Sequence, residues 1–141
     1  MNQITNSPLY QTWKVLQKGM HVQSLLARVA AENFVNAESV GRNPDESPYT
    51  RKEVIVNAIQ HHGVASPEIT AIKDDPTPPR MVYKPGHPAA DKNGEVKFPA
   101  VNTHLEATDF QQSMITSSGC AHLFKTASVM VERTHNLMKQ A

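Results

Sequence analysis

At 141 residues the chain is long enough for one domain, or for one small domain with extended arms, and not for more. Its 14 Lys and Arg against 13 Asp and Glu give a net charge of +1, and no basic stripe interleaves with aromatics, which argues against an electrostatic nucleic-acid binder. Hydrophobic residues at 39% and aromatics at 6% are lean for a self-sufficient core, and the single cysteine, Cys120, excludes an intrachain disulfide.

The first six residues, Met1 to Asn6, are polar and lack a basic region followed by an apolar one, so no cleaved signal peptide is expected. No apolar run approaches the roughly 20 residues a bilayer span needs. A first helix is predicted from Ser7-Pro8, with Ser7 as cap and Pro8 in the first turn, where an N–H has no partner anyway. Leu9, Trp13, Leu16, Met20, Gln23, Ala27, Ala30, Phe34 and Ala37 recur at alternating spacings of four and three. Val15, Val22, Leu26 and Val29 widen that stripe, giving a helix of roughly 30 residues. Gly41 and Asn43-Pro44 end it.

Strands are expected at Arg51 to Ile59, Glu68 to Lys73, Met81 to Tyr83 and Val96 to Phe98, separated by turns and by the break Pro76-Thr77-Pro78-Pro79. Between the last two lies Tyr83 to Val96, with two prolines, two glycines and an Asn-Gly pair. Pro85-Gly86 suits the centre of a type II turn, with φ > 0 at Gly86, and Asn93-Gly94 suits a type I′ turn. Asp91 is expected to cap a turn through the local backbone, and His87 to lock the loop with a hydrogen bond.

A last helix is predicted from about Thr103 to Lys139. Phe110, Met114, Ser117, Ala121, Phe124, Ser128, Val131, His135 and Met138 form its stripe, flanked by Leu105, Ile115, Leu123, Ala127, Met130 and Leu137. Gly119 interrupts it at a local cost of about 1 kcal/mol against Ala, and would let a neighbouring helix approach. The expected fold is α+β: two long terminal helices forming a coiled-coil-like pair around a small central antiparallel β unit. Segment boundaries fall at 1–40, 41–102 and 103–141. A two-helix pair buries one narrow seam, so the surplus apolar surface points to assembly.

Chemistry-bearing patterns are sparse. His21, His61, His62, His87, His104, His122 and His135 show no H-x-x-x-H or H-E-x-x-H spacing, and only His61-His62 cluster. Asp74-Asp75 and Asp45-Glu46 read as solvated loop charges rather than a converging acid pair. No phosphate-cradling glycine loop occurs, and Ser117-Ser118 lacks a nucleophile elbow. No catalytic residue, cofactor or metal is expected.

The loop residues Tyr83, Pro85, Gly86, His87, Pro88, Ala90, Asp91, Gly94 and Val96 fit the pattern Y-x-P-G-H-P-x-A-D-x-x-G-x-V. That pattern resembles the hallmark loop of the proximal rod protein family of the bacterial flagellar basal body, the C-type rod subunit. Pro99-x-Val101-Asn102 also fits. Residues 31–39 are similar to the A-S-N-[IL]-A-N-x-x-T motif of axial flagellar proteins, through Asn33, Asn36 and Ala37, with Ser39 in place of Thr. Glu32, Phe34 and Val35 depart from it. Met114-Ile115-Thr116-Ser117-Ser118 resembles the family's M-I-[ST]-A-S, after which Ala121 and Phe124 stand where a Tyr and an Asn are usual.

The resemblance implies a structural subunit, not an enzyme. It would sit in the periplasmic rod of the basal body and be exported without a cleaved signal peptide by the flagellar export apparatus. Its partners would be copies of itself and other rod subunits, with neither nucleic acid nor membrane insertion, in a shaft that transmits torque. Asn33 and Asn36 belong to the motif, and a buried Asn can fix register in helical assemblies. Another axial rod subunit, a small enzyme or metal-binding protein, and a coiled-coil adaptor remain as alternatives.

Overall fold

The computed structural model describes residues 7–61 and 63–140. Two expectations, the polar start at Met1 to Asn6 and a cluster involving His62, lie outside the described residues.

Helix α1 runs Pro8–Val35. Ser7 is its N-cap: the Ser7 hydroxyl accepts from the Tyr10 N–H at 3.2 Å. The helix stops before Gly41, because the Asn36 side chain turns back and donates to the Glu32 carbonyl at 2.9 Å, and the Asn36 N–H bonds the same carbonyl. Strands β1 (Lys52–His61) and β2 (Val64–Asp74) form one antiparallel hairpin, with Gly63 at φ +81° in its turn and an irregularity between Ile55 and Val56. Strands β3 (Arg80–Tyr83) and β4 (Glu95–Phe98) form a second. The central β segment is therefore two separate two-stranded sheets. The proline run at 76–79 carries no strand and separates them. Helix α2 spans Thr103–Gln140, its start capped by the Asn102 side chain, which accepts from the His104 and Leu105 N–H groups.

The helices pair antiparallel. Trp13 stacks on Phe124 with centroids 5.1 Å apart, and its indole N–H donates to Ser128 Oγ at 2.8 Å. A Cβ on Gly19 would stand 3.7 Å from Cys120 Sγ, and Asn33 bonds Glu106. The β1–β2 hairpin lies against α1, tied by the Lys18–Glu68 and Lys52–Glu32 ion pairs. The β3–β4 hairpin has its own small core of Ala89, Val96 and Phe98, packed by Val40, Val82 and Ala90.

The buried stripes differ from those the spacing predicts. On α1 the buried face includes Val22, Val29 and Asn33, while Phe34 is about half exposed. On α2 the predicted stripe residues Ser117, Phe124, Ser128, Val131 and His135 are half-buried, but Phe110, Met114, Ala121 and Met138 are exposed. The innermost positions there are Glu106, Ser113 and Ala127, which are small or polar and which hydropathy therefore passes over. The close helix approach is at Gly19, not at Gly119, which has open space around it.

Candidate functional site: a buried polar hub and a turn-rich loop

The end of α1 places Asn33 where α2 begins and β1 enters the sheet. Asn33 is 1% exposed and its side chain makes four hydrogen bonds. Its Oδ1 accepts from the Lys52 N–H and the Tyr49 hydroxyl, both at 2.9 Å. Its Nδ2 donates to the Lys52 carbonyl at 2.9 Å and to Glu106 Oε2 at 3.0 Å. An Asn amide has two donors and two acceptor sites, so this one is saturated.

Glu106 is equally buried, at 1% exposed, and its other oxygen accepts from Arg51 Nε at 2.6 Å. Arg51 reaches on to Asp75 at 3.5 Å. Burial pulls the Arg51 guanidinium down, but its bond to Glu106 and the Glu106 charge outweigh this and hold it above its ordinary value. Hydrogen bonds from the Thr77 hydroxyl and N–H, with Arg51 adding to them, hold Asp75 below the ordinary carboxylate value. Asp75 is thus part of the network and not the free loop charge its sequence context predicts. Burial first, and then the Glu32 charge, pushes the Tyr49 phenol up. The bond to Glu32 raises Lys52. Among the described residues no buried side-chain polar atom lacks a partner. The network joins α1, β1 and α2 with charges and donors fully matched, which is the condition under which buried ions are tolerated.

The loop between β3 and β4 is built from three successive turns. His87 N–H bonds the Lys84 carbonyl at 3.0 Å, Ala90 N–H the His87 carbonyl at 2.9 Å, and Gly94 N–H the Asp91 carbonyl at 3.0 Å. Pro85-Gly86 does sit at the centre of the first turn, but Gly86 is not in the left-handed region, so the type II expectation fails. The third turn is centred on Lys92-Asn93 with Gly94 at its end, not on Asn93-Gly94 as a type I′ turn requires. Gly94 has φ +80°, and a Cβ there would stand 2.9 Å from Tyr83 Cε2 and 3.0 Å from Pro85 Cβ. Tyr83 and Pro85 therefore close over a position that only glycine fits.

Asp91 Oδ1 accepts from the Asn93 N–H at 2.8 Å and the Glu95 N–H at 2.9 Å, and His87 Nδ1 accepts from the Ala89 N–H at 3.1 Å. Pro88 lies exposed between them. Asn36 caps α1 and accepts from the Ser39 hydroxyl at 3.0 Å, while Ala37 is buried. The two sets of motif residues stay apart: Asn33 lies at the helix pair and the loop on the second hairpin, where Val40, from the segment after α1, packs on the loop core.

Sequence reasoning missed Glu106, Arg51 and Tyr49. A Glu in a first helical turn reads as a surface complement to the helix dipole. The signal that locates it is spacing: Glu106 lies at seven-residue steps from Ser113, Cys120 and Ala127, all at least half-buried. Gly41 also differs from its expected role as a helix end. It is buried, and a Cβ there would stand 2.5 Å from the Glu46 carbonyl oxygen, so it serves a tight loop and does not end the helix.

Among the described residues no group of three or more His, Cys, Asp or Glu side chains is placed to hold a metal ion, and no helix is long and apolar enough to cross a membrane. No family profile matches the chain. Curated proteins do. The flagellar basal-body rod protein FlgC of Agrobacterium fabrum is 33% identical over 134 residues, covering 94% of this chain and 96% of that protein. FlgC of Salmonella typhimurium is 29% identical over 131 residues, covering 92% and 97%, and FlgC of Escherichia coli O157:H7 matches to the same extent. Similarity at this level runs through both helices, both hairpins and the loop, and the chain belongs to the FlgC family of flagellar basal-body rod proteins.

Proposed function

We propose that this structural subunit of the flagellar rod builds the shaft through the outward face of α2, with the β segment bracing neighbours. The observation that carries this is a second stripe on α2. Leu105, Ile115, Leu123, Met130 and Leu137 are all exposed, and the open Gly119 lies among them. Ile115, Leu123, Met130 and Leu137 recur at steps of eight, seven and seven, about 33 Å of helix at 1.5 Å per residue, and Leu105 lies ten residues before them. A monomer rarely shows so long an uncovered apolar strip. Neighbouring copies and other rod subunits are the occupants, joined by heterologous contacts that propagate without closing.

On this reading segments 1–40 and 103–141 form the shaft wall and 41–102 the brace. The role is mechanical, transmitting torque from the base, and no reaction is assigned to the chain. Delivery to the periplasmic rod is by the flagellar export apparatus.

Complementation of a strain lacking this protein tests the reading. Leu123→Asp and Met130→Asp place a charge on the strip while leaving the α1 seam intact. Such chains should be made and exported, yet give no rod, hook or swimming. Normal basal bodies with both variants would move the assembly surface elsewhere, and normal swimming without the gene would remove the rod role itself.

A further inference from the structure

We propose that the Asn33–Glu106–Arg51 hub is a register lock for the antiparallel helix pair, selecting one alignment of α1 on α2 among several that packing alone would accept.

The rest of the seam discriminates poorly. At seven-residue steps α2 presents Glu106, Ser113, Cys120 and Ala127 toward α1, and three of these four are small. The matching positions on α1 are Asn33, Leu26 and Gly19. A slide by one heptad would set Leu26 against Cys120 and keep the remaining seam small. It would carry Trp13 from Phe124 and Ser128 to Val131 and His135, again one apolar side chain and one hydrogen-bonding side chain. Both are already half-buried. The large aromatic anchor therefore has an acceptable second berth.

The hub has none. Asn33 would meet Ser113, which offers a hydroxyl in place of a carboxylate held by Arg51. Glu106 would pass beyond the end of α1 and leave Asn33 behind. Glu106 would lose Asn33, and Arg51 would lose the Glu106 carboxylate, a penalty that apolar side chains do not impose. Because Asn33 also holds both backbone groups of Lys52, the same lock aligns β1 with the helix register. The lock is a property of the fold and stands independently of the rod reading.

Cysteine trapping reads the register directly. Cys120 Sγ lies 3.7 Å from where a Cβ on Gly19 would stand, so Gly19→Cys should close an intramolecular disulfide in the full-length chain at high dilution. Leu26→Cys should not, because seven residues separate the two sites by about 10 Å along the axis. In a chain carrying Asn33→Leu, Arg51→Met and Glu106→Leu, the 19–120 product should fall about tenfold relative to its unaltered counterpart, and a 26–120 product should appear. Circular dichroism confirms that the helices persist. If that variant loses its helices, Asn33→Ser, which keeps the position small and removes the bond to Glu106, is read in the same way. An undiminished 19–120 product with no trace of 26–120 overturns the lock. So does loss of all helix in both variants, since the hub would then support the fold as a whole and not its alignment.

Discussion

The inner and outer sides of α2 are made of opposite materials. Its inner side begins with a buried Glu matched to an Asn and an Arg, and continues through Ser113, Cys120 and Ala127. Its outer side carries Leu, Ile and Met in the open. In an isolated soluble protein the assignment would be reversed. The difference teaches that most inner contacts of α2 rest on polar matching and small size, with Phe124 on Trp13 as the large anchor, while a row of apolar side chains is left on a surface the single chain does not cover.

The largest effect expected from breaking this contrast is at Glu106. Glu106→Ala leaves Arg51 and Asn33 with unmatched groups in a buried setting, and should destabilise the folded chain by about 3–5 kcal/mol. Leu123→Ala removes a larger apolar group but should change monomer stability by less than about 0.5 kcal/mol, because that side chain is exposed. Urea denaturation of both variants decides between the sides. Equal losses would mean that the outer strip is covered within the monomer.

Next in size is the loop, where Gly94 and Gly86 make a smaller version of the same comparison. Gly94→Val combines positive φ with two contacts at or under 3.0 Å, and should cost more than about 1 kcal/mol. Gly86→Val meets open space at negative φ and should stay within about 0.5 kcal/mol. Thermal melts that rank the two the other way would show that the loop closes on Gly86. A cap follows: Ser7→Ala removes the acceptor for the Tyr10 N–H and should cost about 1 kcal/mol, read as fraying of the first α1 turn by hydrogen exchange.

The elements were legible because their signals are local. Ser7-Pro8 marks a helix start whatever surrounds it, and Val54-Ile55-Val56 and Met81-Val82-Tyr83 read as strands. The loop was recognisable as a pattern, yet its turn types were not, since Gly86 and Asn93 can each adopt several turn positions and the bonds from His87 N–H to Lys84 and from Gly94 N–H to Asp91 chose among them. The hub was illegible for a different reason. Hydropathy ranks Phe110 and Met114 above Glu106 and Ser113 for burial, and only the arrival of Arg51 and Asn33 from two other elements reverses that order. Asn33 itself stands out through its motif, but its four bonds, to Lys52, Tyr49 and Glu106, cannot be read from any spacing.

The smallest expected effect lies at the hub's outer edge, where the network meets solvent. Asp75 accepts from the Thr77 N–H at 2.9 Å and from its hydroxyl, and pairs with Arg51. These contacts favour the charged carboxylate and hold it below its ordinary value of 3.8. A carboxyl whose value is lower folded than unfolded contributes stability that is fully present above the unfolded value and is lost as pH falls through the folded one. The contribution should therefore be constant at neutral pH and disappear only below about pH 4. Salt should weaken the Arg51 part of it, because this end of the network is open to water. Thr77→Val removes the hydroxyl donor and should move the Asp75 midpoint up toward 3.8, as followed by carboxyl NMR titration. A midpoint at or above that value in the unaltered chain would detach Asp75 from the network and confine the polar matching to Asn33, Glu106 and Arg51.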